Sequence, residues 1–440
     1  MRRLSKGTDP LSYHIVDEET LTAEDLGGLQ RRRLADLLAR VLKDNAFYRA
    51  KLKGRDFDAA GDPLEHLPFT TRGELQQDQA DHPPYGTNLT QDRSRYTRLH
   101  QTSGSRGAPL RWLDTPQSWD WWQRCWGIIF RAADVKPDDR MFIPFSFGPF
   151  IGFWGAFESA VALGNFCLPG GGMTTTARLR FLLDHAVTYV CCTPTYALRM
   201  AEVAKAAGLD LRASSVRGLI VAGEPGGSIP STRAMIESHW GARVFDHCGM
   251  TEIGPWGFEC LEAPGGVHVM ENEFIAEVID PETGRPVADG VRGELVLTNL
   301  GRVDSPLIRY RTGDLVSLTR GRCACGRWFA RAEGGILGRI DDMILIRGNN
   351  VYPSAVEQII REFDEISEFR LEVFTTGSMT QLRIVLEPTD TGSTELTERV
   401  RSVVRDRLHF APEVTLAAPG SLPRFELKAK RLVRLDNESE

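Results

Sequence analysis

The chain has 440 residues, of which 42% are hydrophobic and 25% are charged, a composition that indicates a globular protein of two or three domains and excludes a mainly disordered or fibrous one. Lys and Arg number 53 against 59 Asp and Glu, which gives a formal net charge of −6. Because no basic cluster stands out on this mildly acidic chain, we expect no nucleic acid and no membrane as partner, and we expect a small molecule instead.

The N-terminal part predicts a packing helix rather than a targeting signal. The first six residues carry charge, but the apolar stretch of a secretory signal does not follow them. Residues 24–50 place leucines at three- and four-residue spacings among arginines, which is the pattern of an amphipathic helix. Eight scattered cysteines fit a reducing compartment, so we expect a cytoplasmic protein with thiols or thiolates.

From about residue 98 to 320, short β-rich runs alternate with helical stretches. This alternation predicts an α/β fold with a largely parallel sheet. The predicted strands include residues 141–143, 189–192 and 218–221, and the predicted helices include residues 178–184 and 231–240. Residues 141–177 contain Glu158 as their one charged side chain, yet their repeated prolines and glycines argue against a membrane-spanning helix.

The pattern changes twice towards the C-terminus. Between residues 273 and 318, alternating strands with turn signals predict a small β subdomain. After residue 338 the pattern starts again, with predicted helices near 353–363 and 394–408 and predicted strands near 371–374 and 382–386. We therefore predict a large α/β N-terminal domain of residues 1–338, whose β subdomain spans about 260–335, and a small mobile α+β domain of residues 339–440.

The first motif with a chemical meaning is the Gly/Ser/Thr-rich loop at residues 101–109. Its backbone amides and hydroxyls suit a polyphosphate, and Arg106 adds positive charge. The loop lacks the Gly-Lys-Ser/Thr ending of a P-loop. It is not a hydrolase elbow either, since Thr102 stands where glycine is needed. Taken alone, a plain surface turn is an equally good interpretation.

Four further motifs follow in chain order, at residues 245–252, 308–314, 338–342 with 347–353, and 422–424 with 428–431. In this order the five motifs resemble the core motifs of the adenylate-forming enzymes, the superfamily of acyl-CoA synthetases, luciferases and adenylation domains. Within it, the chain most resembles the phenylacetate-CoA ligase family of aryl-CoA ligases, over nearly its whole length. The closer resemblance rests on residues 45–49, 67–71, 192–198 and 222–225, and on the Cys-x-Cys-Gly-Arg at 323–327.

The resemblance implies a two-step reaction that uses ATP, Mg²⁺ and coenzyme A. In the first step a carboxylate attacks the α-phosphate of ATP and forms an acyl adenylate and pyrophosphate. In the second step the CoA thiolate displaces AMP. The large domain would bind the nucleotide and the acid, and the small domain would swing between the two steps about a hinge at Asp341.

The resemblance also assigns roles to individual residues. Thr251 contacts phosphate, Glu252 holds Mg²⁺, Asp314 accepts hydrogen bonds from the ribose hydroxyls, and Arg339 lies beside the ribose and phosphates. Lys428 is the adenylation lysine, with Lys430 as its rival two residues away. The remaining nucleotide-binding residues are Ser103, Gly104, Ser105, Arg106 and Gly107 around the β- and γ-phosphates, and Gly223, Glu224, Pro225, Asp246, His247 and Cys248 around the adenine.

The chain departs from the family pattern in three motifs, at four positions. Arg106 and Ala108 stand where relatives usually show a threonine and a lysine, and Cys248 replaces an aromatic residue. In the terminal motif, Leu427 follows Glu426 where glycine is usual. Arg106 keeps a positive charge in the phosphate loop, whereas the change at Cys248 weakens stacking on the adenine.

Two more sets of residues predict binding sites. Cys260, His268, Cys323 and Cys325 supply three sulfurs and one imidazole, the ligand set of a closed structural zinc site, and the resemblance supports zinc. The alternative is unpaired thiols and a turn histidine. The predicted acyl pocket comprises Phe145, Phe147, Gly148, Phe150 and Gly249, which suit a flat aromatic acid, although such residues are more often plain core. Trp119, Trp122 and Trp126 share a helical face and are predicted to pack.

The leading functional hypothesis is an ATP-dependent ligase that converts an aromatic carboxylic acid into an aryl-CoA thioester. The alternative is a stand-alone adenylating enzyme that passes the acyl group to an amine or to the thiol of a carrier protein, which we expect to be a separate molecule because no carrier domain follows residue 440. A catalytically silent nucleotide-binding module is disfavoured by the presence of Thr251, Glu252, Asp314, Arg339 and Lys428. The sequence does not indicate which acid is used, and relatives suggest a homodimer.

Overall fold

The computed structural model describes residues 16–102, 108–346, 349–376, 379–389, 394–426 and 428–435. Within these residues the α-helices are α1 (Ala23–Asp44), α2 (Ala46–Lys51), α3 (Arg72–Asp81), α4 (Pro116–Ala132), α5 (Trp154–Ala162), α6 (Thr175–Asp184), α7 (Pro194–Ala206), α8 (Pro230–Trp240), α9 (Pro353–Ile360) and α10 (Thr394–Leu408).

The strands of the described residues are β1 (Arg98–Gln101), β2 (Arg111–Asp114), β3 (Arg140–Ile143), β4 (Phe166–Pro169), β5 (Tyr189–Cys192), β6 (Gly218–Ala222), β7 (Arg243–Met250), β8 (Gly254–Cys260), β9 (Ala263–Val269), β10 (Phe274–Ile279), β11 (Arg292–Asn299), β12 (Tyr310–Thr319), β13 (Arg331–Glu333), β14 (Gly338–Arg339), β15 (Ile344–Ile346), β16 (Asn349–Val351), β17 (Ile366–Thr376), β18 (Met379–Pro388), β19 (Glu413–Leu416) and β20 (Leu432–Arg434).

One large sheet dominates the N-terminal part. Strands β4, β3, β5, β6 and β7 lie side by side in this order and are parallel. The path continues through β8, β9, β13, β12, β11 and β10 with antiparallel pairing. The predicted α/β fold with parallel strands is therefore confirmed, whereas the sheet as a whole is mixed, because the strands expected in a β subdomain extend it with antiparallel pairing.

The inner parallel strands β5 and β6 are buried on both faces, as strands covered by helices on two sides should be. In β5, Val190 packs in the apolar cluster beneath α6, α7 and α8, whereas Cys191 packs in the cluster that contains α4. The same alternation occurs in β6 with Leu219 and Ile220, because successive side chains of a strand point to opposite faces. The predicted packing role of the tryptophans also holds, since Trp119, Trp122 and Trp126 are all buried in the α4 cluster.

The last hundred residues form a second, smaller unit with its own core. Strands β19, β18, β17 and β20 make a sheet, and its apolar cluster includes side chains of α9 and α10. The prediction of a small α+β unit after the large sheet is confirmed. Between the two units, Asp341 lies in a short 3-10 helix, Ile340–Asp342, that follows β14.

The single helix predicted for residues 24–50 is wrong at Asn45. The backbone of Asn45 is extended, and its side chain accepts a hydrogen bond from the Tyr48 backbone N–H, so it ends α1 and caps α2. Its amide also donates to Asn88 at 3.0 Å. These contacts favour an interruption that the leucine periodicity does not reveal. None of the helices in the described ranges is both long enough and apolar enough to span a membrane.

Candidate active site

The predicted adenine-binding residues meet at the carboxyl ends of two neighbouring parallel strands, the usual ligand edge of an open α/β sheet. Gly223, Glu224 and Pro225 follow β6, and Asp246, His247 and Cys248 lie in β7. The register places Ala222, the last residue of β6, opposite His247. Gly223 has a φ of 98°, a left-handed conformation that favours glycine.

Asp246, His247 and Cys248 are buried and held by neighbouring groups. The Ser228 hydroxyl donates to the Asp246 carboxylate at 2.6 Å, and His247 Nδ1 lies 2.7 Å from the carbonyl oxygen of Gly257. Burial lowers the pKa of His247 to about 4, so its imidazole is neutral near pH 7. Burial likewise raises the pKa of the Cys248 thiol, which keeps it protonated.

Glu252, the predicted magnesium ligand, is buried at the next turn along the chain. Its Oε1 accepts a hydrogen bond from the Tyr310 hydroxyl at 3.0 Å and lies 3.5 Å from Arg72 Nη1. Arg302 donates to the carbonyl oxygens of Thr251 and Glu252 at 2.7 and 3.1 Å. These contacts fix the turn that presents the Thr251 hydroxyl and the Glu252 carboxylate.

Arg72 is a site residue that the sequence did not reveal. Besides contacting Glu252, its Nη2 donates to Thr102 Oγ1 at 3.1 Å, directly before the predicted phosphate loop. Arg72 is the first residue of α3, whose start is set by a capping box between Thr71 and Glu74. It follows the family-like segment 67–71 by one position, and nothing in its local sequence separates it from a surface arginine.

Asp314 and Arg339, the predicted ribose ligands, lie opposite each other on the paired strands β12 and β14. Arg339 Nη1 donates to Asp314 Oδ1 at 2.6 Å. Burial raises the pKa of Asp314 to about 6, although the positive charges of Arg339 and Lys428 oppose this shift. The Asp314 carboxyl group therefore loses its proton near pH 6, which is above the ordinary pKa range of an aspartate.

Lys428 reaches the same group of charges from the C-terminal unit. A Cβ added to Gly223 would lie 3.3 Å from Lys428 Cε, so the lysine stem packs on that glycine. Lys428 nevertheless keeps part of its surface exposed to solvent. Partial burial lowers the pKa of its ammonium, and the carboxylates of Glu224, Asp314 and Glu252 oppose the shift. Lys430 is exposed to solvent.

The predicted phosphate loop, Ser103, Gly104, Ser105, Arg106 and Gly107, lies outside the described residues. Its two flanks are described and are joined by a hydrogen bond from Thr102 N to Leu110 O at 2.9 Å. The Gln101 amide donates to Pro149 O at 2.8 Å, so the base of the phosphate loop adjoins the loop at 145–150. The flank of the predicted phosphate loop and the predicted acyl region are therefore neighbours.

Two of the predicted acyl residues, Phe145 and Phe147, form an aromatic cluster. The rings of Phe145 and Phe147 lie 5.5 Å apart, and Phe147 lies 4.6 Å from Trp154, whose indole donates to Gly148 O. Phe150, by contrast, is 40% exposed. Gly249 has little free space beside it, because an added Cβ would lie 3.4 Å from His247 Nε2.

The four predicted zinc ligands converge in space although they come from three separate segments. Their donor atoms all lie within 4.8 Å of one another. The Cys260 and Cys323 sulfurs are 3.8 Å apart, and the Cys325 sulfur is 3.8 Å from His268 Nε2. The other ring nitrogen of His268 lies 3.0 Å from the Phe329 carbonyl oxygen, which is the kind of contact that orients a ligating histidine.

Comparison with known proteins decides the family. Residues 102–301 match the family model of the AMP-binding enzyme, and residues 348–435 match that of the AMP-binding enzyme C-terminal domain. The chain is 32% identical to the phenylacetate-coenzyme A ligase of Thermus thermophilus over 434 residues, which is 93% of this chain and 96% of that protein. The chain belongs to the phenylacetate-CoA ligase family. Like other members of the phenylacetate-CoA ligase family, it is an AMP-forming CoA ligase that forms an acyl adenylate from ATP and transfers the acyl group to CoA.

Two solved structures of one related enzyme, in different states of its reaction, resemble this member of the phenylacetate-CoA ligase family to different degrees. The 2-hydroxyisobutyryl-CoA ligase in its postadenylation state with 2-HIB-AMP matches with a TM-score of 0.89 at 28% identity, over 95% of this chain and 91% of that chain. The same ligase with 2-HIB-AMP and CoA in the thioesterification state matches with a TM-score of 0.72 at 29% identity, over 96% and 92%. The structure therefore corresponds better to the postadenylation arrangement.

Proposed function

We propose that this CoA ligase activates an aromatic carboxylic acid and releases an aryl-CoA thioester. The observation that carries the proposal is a series of aromatic rings from the nucleotide edge to the loop at 145–150. Trp126 lies 4.5 Å from the His247 ring and 6.5 Å from Phe153, and Phe153 lies 6.0 Å from Phe145. Phe145 at the end of this series and its neighbour Phe147 are only partly buried against the core, so their rings are available to pack against a flat aromatic group. The Thermus relative is named for phenylacetate, which is such an acid.

In the first half-reaction, the substrate carboxylate attacks the α-phosphorus of ATP, and the bond to the β-phosphate oxygen breaks to release pyrophosphate. Thr251 offers its hydroxyl to phosphate, and Glu252 offers a carboxylate, an oxygen ligand of the kind that Mg²⁺ prefers. When bound, Mg²⁺ neutralises phosphate charge. Lys428 places its ammonium near Glu252 and Asp314, where it neutralises charge that develops between the carboxylate and the α-phosphate.

In the second half-reaction, the CoA thiolate attacks the acyl carbon and the acyl–oxygen bond to AMP breaks. Asp341 serves as the hinge because it lies in the short segment between the large sheet and the small C-terminal unit. A carrier-protein thiol or an amine is the alternative acceptor. Both alternatives share the first half-reaction, so the acceptor has to be tested separately.

A structural zinc ion belongs to the same proposal. Zn–S bonds of about 2.3 Å in a tetrahedron place two sulfurs roughly 3.8 Å apart, which matches the 3.8 Å between the sulfurs of Cys260 and Cys323. With His268 and Cys325, the protein supplies all four ligands. A zinc ion here would join β8, β9 and the turn before β13 without taking part in the reaction.

The test is ATP–pyrophosphate exchange with a panel of aromatic and aliphatic acids, followed by mass analysis of the product formed with CoA. The proposal expects exchange that is strongest for aromatic acids and a thioester product. Exchange only with aliphatic acids would refute the aromatic substrate, and exchange without a thioester would identify a different acceptor. Lys428→Ala should abolish exchange while Lys430→Ala preserves it, and the reverse result would shift the assignment by two residues.

A further inference from the structure

Arg431 connects the C-terminal unit to the nucleotide-binding sheet, three residues after Lys428. Its guanidinium is bound within its own unit by Glu368, at 2.7 Å from Nε to Oε1 and 3.1 Å from Nη2 to Oε2. Its Nη1 crosses to the large unit and donates to Thr195 Oγ1 at 3.2 Å. Arg431 is 8% exposed, so this crossing contact is largely shielded from water.

Glu224, in the large unit, also contacts the C-terminal segment that contains Lys428 and Arg431. Its Oε2 accepts a hydrogen bond from the Ala429 backbone N–H at 2.7 Å, and its Oε1 accepts one from the Thr195 N–H at 2.9 Å. The side chain predicted to frame adenine is thus bonded to the residue that follows Lys428. Burial raises the pKa of Glu224, while the positive charge of Arg431 opposes the shift.

These contacts depend on how the two units are arranged. Glu368 moves with Arg431 because both belong to the C-terminal unit, whereas Thr195 and Glu224 belong to the large unit. If the C-terminal unit moves away, the buried Glu224 loses the Ala429 N–H and the nearby guanidinium, and an unpaired buried carboxylate is costly. The present arrangement corresponds to the postadenylation state of the related ligase, with a TM-score of 0.89 against 0.72 for the thioesterification state.

We infer that Arg431 and Glu224 are positioning residues that hold Lys428 against the nucleotide for adenylation, Arg431 through Thr195 and Glu224 through the Ala429 N–H, and that both contacts break before CoA attacks. This inference rests on the proposed role of Lys428. Arg431 donates two hydrogen bonds to Glu368 in its own unit and one to Thr195 in the large unit. Glu224 accepts a hydrogen bond from the backbone N–H directly after Lys428, and these contacts together form a clamp on the lysine segment. A shift of about 1 Å in a reacting group costs on the order of 100-fold in rate, so the clamp matters for the first half-reaction.

The experiment separates the two half-reactions in the full-length enzyme. For Arg431→Ala, pyrophosphate exchange at saturating ATP and acid should fall about 100-fold. Thioester formation from a preformed acyl adenylate and CoA should change little, because that step does not need Lys428 in this place. Thr195→Val should reduce exchange by about tenfold through the loss of one charge-assisted hydrogen bond, and Thr195→Ser should restore it. Melting temperatures check that each variant is folded.

Arg401→Ala is the matched control, because Arg401 contacts Glu398 and Pro412 within the C-terminal unit and should affect neither half-reaction. Equal losses in both half-reactions for Arg431→Ala and Thr195→Val would overturn the inference, as would unchanged exchange in both. Normal exchange in Lys428→Ala would instead refute the lysine assignment. No exchange by the unmodified enzyme with any acid would refute the proposed function itself.

Discussion

Arg339 donates to the Asp314 carboxylate at 2.6 Å across the pairing of β12 with β14. Burial nevertheless raises the pKa of Asp314 from its ordinary 3.8 to about 6. Since ionised Asp314 is the better acceptor for ribose hydroxyls, the KM for ATP should rise as the pH falls from 7 through 6. Initial rates between pH 5 and 8 measure this change. Asp314→Asn should raise the KM for ATP at neutral pH and remove the step near pH 6.

The raised pKa of Asp314 makes low pH favourable for the stability of the fold, whereas low pH weakens ATP binding. The folded protein holds the Asp314 proton more tightly than the unfolded chain does, so this group stabilises the fold fully below pH 3.8 and loses that contribution as the pH rises through about 6. Denaturant unfolding of the enzyme and of Asp314→Asn at pH 5 and pH 8 should show the variant gaining relative stability at pH 8. An equal difference at the two pH values would contradict the raised pKa.

Arg72 ties the flank of the phosphate loop to the predicted magnesium ligand. Arg72→Ala removes the contacts with Thr102 and Glu252, so we expect pyrophosphate exchange to fall by about tenfold or more, the value of a charge-assisted hydrogen bond. Arg72→Lys should recover part of the loss because it keeps the charge without the fork. Arg49→Ala, which removes an exposed arginine that donates to the Lys43 carbonyl, is the control. Equal exchange rates in Arg72→Ala and Arg49→Ala would exclude the role.

The fold was predictable wherever the local pattern and the tertiary environment agree. Residues 189–192 and 218–221 are predicted as strands, and they form the buried strands β5 and β6. The break at Asn45 was missed, because its cause is a set of side-chain contacts with Tyr48, Asn88 and Thr90. The joining of the expected β subdomain to the parallel sheet was also missed, since pairing between strands distant in sequence leaves no local signal.

The candidate site likewise combines residues that carry motif signals with residues that only folding brings together. Lys428, Asp314 and Arg339 carry motif signals, and the structure brings them together. Arg72 and its contact Glu252 are 180 residues apart in sequence, so only folding relates them. Arg431 stood within a recognised motif, but its partner across the units, Thr195, lies 236 residues away. Pairings of this kind follow from three-dimensional packing and not from residue spacing.

Removal of the proposed zinc should lower the stability of the protein without changing the reaction that it catalyses. Elemental analysis should find about one zinc per chain, as a closed four-ligand site requires. Cys323→Ser should lose the metal and lower the melting temperature, because metal binding contributes to folding free energy. Cys167→Ser, a partly buried cysteine outside the cluster, should keep the metal. A Cys323→Ser variant that still binds zinc, or an enzyme that contains none, would contradict the site.

Phe145 should determine how tightly the acid binds. Its ring contacts Phe147 and Phe153, and Gly152 lies so close that an added Cβ would clash with the ring at 2.3 Å. Phe145→Ala removes an aromatic wall, so we expect the KM for the best aromatic acid to rise about tenfold while the KM for ATP stays nearly constant. Phe166→Ala is the control, because Phe166 is 59% exposed on the edge strand β4. Steady-state kinetics with each substrate varied in turn measures both constants. A proportional rise in both would place Phe145 in the structural core and not in the acyl pocket.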